Sequence, residues 1–261
     1  MQLPTQYQGS SFWELLKTDT PDLVPSILLE PGAELPPSQP HGTTILALKV
    51  ADGVVMVGDR MATEGFHVSD RRIEKVFKAD GSTLIAIAGV AGPCLEAVRL
   101  FQTELEHYEK IEGEQLVLEG KANKLAQMVR ANLPSALQGL IVIPILAGYD
   151  DRSEVGRIFK YDLTGGRYEE DDYHATGSGG REAKAALKKL YREELPTDEG
   201  IRIGLEALMD AADEDVGTGG PDISRGIFPT VKVISGEGIH EVPEDEVRPI
   251  IETLTAARQK S

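Results

Sequence analysis

The chain has 261 residues, enough for one large domain or two small ones, and its 41% hydrophobic and 27% charged residues describe a packed globule rather than a disordered chain. A formal net charge of −16 argues against nucleic acid or an anionic membrane as a partner, since both require clustered Lys and Arg. No stretch approaches the roughly 20 apolar residues of a membrane span. The amino terminus lacks the basic and apolar regions of a secretory signal, and a single cysteine, Cys94, excludes an intrachain disulfide and fits a reducing cytoplasm.

Residues 1–42 hold seven of the 15 prolines, which fix φ and remove backbone donors, so this leader is expected to be extended and loosely packed. Composition alone leaves open whether it is a tail or a removable segment. From Thr43 the texture changes. Thr44–Val50 and Gly53–Gly58 are near-continuous apolar runs joined by Ala51-Asp52-Gly53, the pattern of strands covered on both faces. A second pair is expected at Val76–Ala79 and Ser82–Ala88. Apolar residues at 94, 98, 101, 105 and 108 then predict a helix with Pro93 in its first turn. A further helix is expected over 121–138, kinked or irregular near Pro134.

Strands resume at Leu140–Gly148, Gly156–Asp162 and Arg167–Thr176, with Pro144 expected to break the first ladder locally. Gly177-Ser178-Gly179-Gly180 opens a helix with one apolar stripe, ended by Pro196. Thr197 is expected to cap the next helix, with Asp198 and Glu199 in its first turn. An acidic, glycine-rich loop from Asp213 to Asp222 precedes the strand Thr230–Ser235, and a closing amphipathic segment starts near Pro243. Strands buried on both faces, with helices in pairs, pack naturally as two stacked sheets between two helical layers, an α+β αββα sandwich.

Chemistry centres on the Gly42-Thr43 junction. A cut there would leave Thr43 with a free α-amine beside its own hydroxyl, base and nucleophile on one residue. Such an amine titrates near pH 8, close to where a general base is most useful. The tripeptide alone is weak, because threonine also simply opens strands. In Arg72-Ile73-Glu74-Lys75-Val76-Phe77, alternation puts Lys75 between two large apolar residues, where it either snorkels or is buried with a carboxylate. Asp59, at the end of a buried strand, is a candidate partner, although an aspartate there also suits a turn. Gly89 is placed to offer an unobstructed N–H to an oxyanion, or merely to turn the chain. Cys94 reads as a small buried apolar residue on a helix.

Taken together, Gly42-Thr43-Thr44-Ile45, Gly58-Asp59-Arg60, Lys75-Val76, Ala88-Gly89, Gly177-Ser178-Gly179 and Asp215-Val216-Gly217-Thr218-Gly219-Gly220 resemble the catalytic β subunits of bacterial proteasomes of actinobacterial type. Residues 104–110, 146–150 and 225–230 extend the resemblance from Gly42 to about residue 240. It implies an N-terminal-nucleophile hydrolase fold, with 1–42 a propeptide removed by self-cleavage and 43–261 a single domain. Thr43 would be the nucleophile, Lys75 the cation that lowers the pKa of its hydroxyl and amine, Asp59 the anion that keeps Lys75 charged, and Gly89 the oxyanion donor. Ser178, Asp215 and Thr218 match positions that hydrogen-bond around the terminal threonine. Thr63 matches one whose backbone pairs with extended substrate. Ala62, Ile73, Phe77, Ile87 and Ala91 would line an uncharged first specificity pocket suited to a hydrophobic or small side chain. Two departures stand out: Thr218, where the family often has serine, and Met61, where many relatives have arginine.

The resemblance further implies heptameric rings of this chain stacked as a pair, flanked by rings of proteasome α subunits. A ring-shaped ATPase would feed in unfolded or tagged proteins. No cofactor or metal is expected, since Asp213, Glu214, Asp215 and Asp222 do not follow calcium-loop spacing. Three rival readings remain: a hexameric-ring bacterial threonine protease that also begins Thr-Thr-Ile, a non-catalytic ring subunit of the same fold, and a phosphate-binding module at Gly177–Gly180. The last lacks the Gly-Lys-Ser/Thr of a Walker loop.

Overall fold

In a computed structural model, residues 42–64 and 67–259 are described, and the leader 1–41 lies outside them. The apolar runs form the strands β1 (Thr44–Val50) and β2 (Gly53–Gly58), an antiparallel hairpin in which every strand residue but Lys49 is buried. Both faces are covered because two layers compete for them. Leu46, Leu48, Val55 and Val57 pack toward helices, whereas Ile45, Ala47, Val54 and Met56 pack toward a second sheet. A short hairpin, β3 (Ala62–Glu64) and β4 (His67–Asp70), follows; its polar sequence carries no strand signal.

The second sheet begins with β5 (Val76–Asp80) and β6 (Thr83–Gly89), and then come helices α1 (Ala91–Glu112) and α2 (Leu118–Ala131). Where one helix over 121–138 is expected, the chain stops at Ala131 and makes a separate turn, α3 (Leu133–Ala136), around Pro134. Proline lacks the N–H that a continuous helix needs at that point. Strands β7 (Val142–Asp150) and β8 (Val155–Tyr161) continue the sheet. Pro144 does not break the β6–β7 ladder, where it sits opposite Ile87. Pairing with β8 starts only at Ile145, so the missing donor of Pro144 has no partner strand to serve on that side.

The segment expected as one strand over 167–176 is two. Strand β9 (Arg167–Glu170) pairs with β8, whereas β10 (Tyr173–Gly177) crosses to the first sheet and pairs with β1. The break falls at Asp171-Asp172, residues poorly suited to a ladder. Helices α4 (Gly180–Leu190) and α5 (Thr197–Glu214) cover the first sheet. α4 ends at Leu190, before Pro196, and Pro196 rather than Thr197 occupies the N-cap of α5, where no side chain caps. Asp198 and Glu199 do sit in its first turn. Strands β11 (Thr230–Ser235) and β12 (Gly238–Glu241) and helix α6 (Glu244–Arg258) complete the chain.

The two five-stranded sheets run β10-β1-β2-β11-β12 and β5-β6-β7-β8-β9. One apolar cluster joins the first sheet to α4, α5 and α6, a second lies between the sheets, and a third joins the other sheet to α1 and α2. This is the four-layer αββα sandwich. Among the described residues no helix is long and apolar enough to cross a membrane.

Candidate active site

The site forms where β1 begins, because β2, β6, β10 and α5 end there and β5 starts there. Thr43 precedes β1 and is buried; its carbonyl accepts from the Ser178 N–H at 2.8 Å, extending the β1–β10 ladder one step. Asp59 follows β2 and is fully buried. Its Oδ1 accepts the Thr44 N–H at 2.8 Å, and its Oδ2 accepts those of Met61 and Gly219, each at 3.0 Å. Three backbone donors thus hold this carboxylate in one orientation before any side chain reaches it.

Lys75, 4% exposed, donates from Nζ to Asp59 Oδ1 at 2.6 Å and to the Met61 carbonyl at 2.6 Å. Of the two sequence readings of Lys75, burial against a carboxylate is the one the structure adopts. Desolvation pushes the ammonium pKa down from its ordinary value, and Asp59 opposes that by favouring the charged form. A third and longer contact of Nζ runs to the Gly42 carbonyl oxygen, 3.4 Å away. The Thr43 hydroxyl donates to that same oxygen at 2.7 Å.

Around the Thr43 nitrogen is a hydroxyl-carboxylate network. The Thr43 N–H donates to Ser178 Oγ at 3.2 Å, and Ser178 Oγ donates to Asp215 Oδ2 at 2.5 Å. Thr218 Oγ1 donates to the same Oδ2 at 2.6 Å and shares a hydrogen bond of 2.6 Å with Thr44 Oγ1. The Gly179 N–H is taken by Thr44 Oγ1 at 3.0 Å. The Ser178 and Gly179 donors are thus both committed internally. The acidic loop is likewise occupied: Asp215 by hydroxyls, Asp213 by Arg258, and Asp222 by Ser224 and Arg225.

Gly42 is held as closely as Thr43. Its N–H donates to Thr63 Oγ1 at 2.9 Å, and a Cβ built on it would lie 1.9 Å from the Gly217 carbonyl oxygen. Only glycine lets these two backbones touch. On the other side, Gly89 ends β6 with φ +132°, where a side chain would strike the Ile141 carbonyl. Gly89 and Ile87 share strand parity, and the Ile87 N–H points to the Lys75 carbonyl. The Gly89 N–H therefore points to the Lys75 side of the strand, where Gly89 borders a small recess of about 30 Å³.

That recess is lined by Thr43, Thr63 and four of the five residues that the resemblance gives to the first pocket, Ala62, Ile73, Ile87 and Ala91. Phe77 is not among its walls, a correction. The recess sits where Lys75 meets Ile87, whereas Phe77 pairs with Ile85 one step further along and packs under α1 with the outer cluster. Glu74, Cys94 and Leu95 line it instead. Cys94 is buried on α1, and burial pushes its thiol up to about 12 although Lys75 pulls it down. Sequence reading also missed Thr44 and the Met61 carbonyl. A threonine in a strand carries no mark of its hydrogen-bond partners, and a backbone carbonyl has no side-chain signature at all.

The arrangement is a threonine whose hydroxyl and nitrogen are each held by a separate polar network, beside a buried lysine–aspartate pair and a narrow, largely apolar recess. A family model described as Proteasome subunit matches residues 40–223, and the chain belongs to that family. Within it, the chain stands with the β subunits, a peptidase class. "Proteasome subunit beta" of Acidothermus cellulolyticus is 53% identical over 253 residues, covering 95% of this chain and 87% of that protein. The corresponding proteins of Stackebrandtia nassauensis and Streptomyces griseus are 51% and 49% identical, covering 96% of this chain and 91% and 89% of their own lengths. The hexameric-ring alternative is not favoured.

Proposed function

We propose that this chain is a threonine endopeptidase activated by cleavage of its own Gly42-Thr43 bond. The observation that carries the reading is the convergence on one carbonyl: the Gly42 oxygen receives the Thr43 hydroxyl at 2.7 Å and lies 3.4 Å from Lys75 Nζ. In self-cleavage, Thr43 Oγ1 attacks the Gly42 carbonyl carbon and the hydroxyl proton passes to the departing nitrogen. The amide C–N bond breaks, an ester to Oγ1 forms, and water hydrolyses it. The products are a Gly42 carboxylate and a Thr43 with free hydroxyl and free amine.

In peptide hydrolysis the new α-amine takes the Oγ1 proton as Oγ1 attacks the scissile carbonyl. The Lys75 ammonium, held charged by Asp59, favours the alkoxide electrostatically. The Gly89 N–H receives the oxyanion; losing one such donor typically costs about 10²–10³ in rate. Ser178, oriented by Asp215 and Thr218, keeps the amine directed and relays its proton toward the leaving nitrogen. An ester to Thr43 remains until water releases it. Extended substrate runs beside Thr63, with a small or apolar side chain in the recess of Ala62, Ile73, Ile87 and Ala91.

Residues 1–42 then serve as the propeptide of a single 43–261 domain. The working form is a cytoplasmic particle of heptameric rings of this chain with rings of proteasome α subunits. An ATPase ring supplies unfolded or tagged proteins. Intact mass spectrometry of the assembled particle tests the reading: the chain is expected to start at Thr43, and Thr43→Ala to keep residues 1–42 and hydrolyse no peptide. Full-length chains in active particles overturn it.

A further inference from the structure

The segment that delivers Lys75 is not part of a strand. β5 starts one residue later, and the backbone before it is tied by the Ile73 N–H to the Arg60 carbonyl at 3.1 Å. Between these ties stands Glu74, and its carboxylate reaches in three directions. Oε1 accepts the Val76 N–H at 3.2 Å, so the side chain of the residue before Lys75 is bonded to the backbone of the residue after it. Oε2 accepts the Thr230 hydroxyl at 3.4 Å, and Oε1 also accepts from Lys232 Nζ at 3.5 Å.

Thr230 and Lys232 lie on β11 of the opposite sheet, on the face shared with Ile234 that looks between the sheets. Thr230 is paired in register with Gly58, the residue before Asp59. Lys232 has a side chain only 7% exposed, opposite Met56, and its other carboxylate, Glu241, is more than half exposed. Lys232 thus stands between two carboxylates, Glu74 at 3.5 Å and the more exposed Glu241 at 3.3 Å, and losing either leaves a largely buried cation short of a partner.

We propose that Glu74, with Thr230 and Lys232, is a positioning clamp that holds the backbone of Lys75 in register with Asp59 across the two sheets. This rests on the role given to Lys75 above. β2 leads directly into Asp59, β11 is bonded to β2, and Thr230 and Lys232 of β11 reach Glu74 on the far side of the layer. The distance between Lys75 and Asp59 is therefore set by strand register and not only by their mutual attraction. The Glu74 carboxylate bonds Val76, Thr230 and Lys232 rather than Lys75 Nζ, so Glu74 acts through position.

The test uses assembled particles of Glu74→Ala, Lys232→Met, Glu74→Gln and Thr230→Val, with sites normalised by the fraction of chains starting at Thr43. Turnover of a hydrophobic fluorogenic peptide is resolved into kcat and KM across about pH 6 to 10. Glu74→Ala and Lys232→Met are expected to lower kcat about 10- to 10²-fold, as displacement approaching 1 Å does, with KM within about twofold in Lys232→Met, whose side chain lies outside the recess. The basic limb of kcat should move to lower pH, because a Lys75 less well seated on Asp59 loses its proton earlier. Glu74→Gln should recover most of the rate, since its amide oxygen still accepts the Val76 N–H. Wild-type kcat per mature site in Glu74→Ala and Lys232→Met overturns the clamp, as does a lower kcat with an unmoved basic limb. If those two fail to assemble, Thr230→Val decides by the same two readouts. Lys75→Ala is the control: turnover retained there removes the role of Lys75, whereas an inactive Lys75→Ala beside unchanged clamp variants removes the clamp alone.

Discussion

Replacing Gly42 by alanine should block maturation while sparing the mature enzyme. A Cβ at Gly42 would lie 1.9 Å from the Gly217 oxygen, 2.3 Å from its Cα and 2.4 Å from its carbonyl carbon. All three are backbone atoms, so no side chain can swing aside, and reaching even a 3.0 Å contact needs a shift of about 1.1 Å. Gly217 is tethered by its N–H to Asp215 Oδ1 at 3.1 Å, so yielding on that side disturbs the network around Ser178. Yielding on the other side moves the carbonyl that Thr43 Oγ1 must attack. A displacement near 1 Å typically costs about 10² in rate, or about 2.7 kcal/mol of barrier. Gly42→Ala precursor is therefore expected to self-cleave at least about 100-fold more slowly, followed on denaturing gels against time. Particles that do mature lose residue 42 and should turn over peptide at the wild-type rate per Thr43 terminus. Processing within a few-fold of wild type would refute the attack geometry drawn here.

Lys75→Ala should abolish peptide turnover and leave Asp59 buried without its cation, lowering stability by about 3–5 kcal/mol in chemical denaturation; near-normal turnover would return Lys75 to a packing role. Asp215→Asn should lower kcat by about tenfold or more, measured on the same peptide, because the Ser178 and Thr218 hydroxyls both donate to one carboxylate oxygen. His174 gives a pH signature. Burial lowers its pKa to about 4, with Lys184 adding to the shift and Glu170 opposing it. The unfolded chain binds that proton from about pH 6.5 downward and the folded chain only near 4, so stability is full above 6.5 and falls through the window between. The loss is roughly 2–3 kcal/mol and should flatten in His174→Gln, read from urea midpoints against pH. Finally, purified precursor mixed with its α subunit should cut at Gly42-Thr43 faster than dilute precursor alone. Self-cleavage needs Thr43, Lys75 and Gly89 held within hydrogen-bond reach, and the excess of 43 acidic over 27 basic residues keeps lone subunits apart at low salt. Equal rates would sink that expectation.

What the sequence determined by itself is whatever repeats locally or is carried by residue identity. The two-faced apolar runs of β1 and β2 and the stripe of α1 could be read, because burial on both faces and helical periodicity leave their mark residue by residue. The candidate residues Thr43, Asp59 and Lys75 could be named because a hydroxyl, a carboxylate and an ammonium each have a chemistry of their own, and the resemblance singled them out. Their meeting could not be derived from pattern alone. By itself Lys75 suits snorkelling better than burial, and only the approach of Asp59 and the Met61 carbonyl in the folded chain decides for burial. Likewise, 167–176 read as one strand, and only tertiary structure divided it between two sheets, since both halves carry strand-forming residues and sheet membership is decided by distant partners. Phe77 left the recess and Glu74 entered it because alternation says which residues share a face but not how far along that face a site lies. The close approach of Gly42 to Gly217 depends on two backbones meeting, a contact that no side chain announces and that only the folded chain contains.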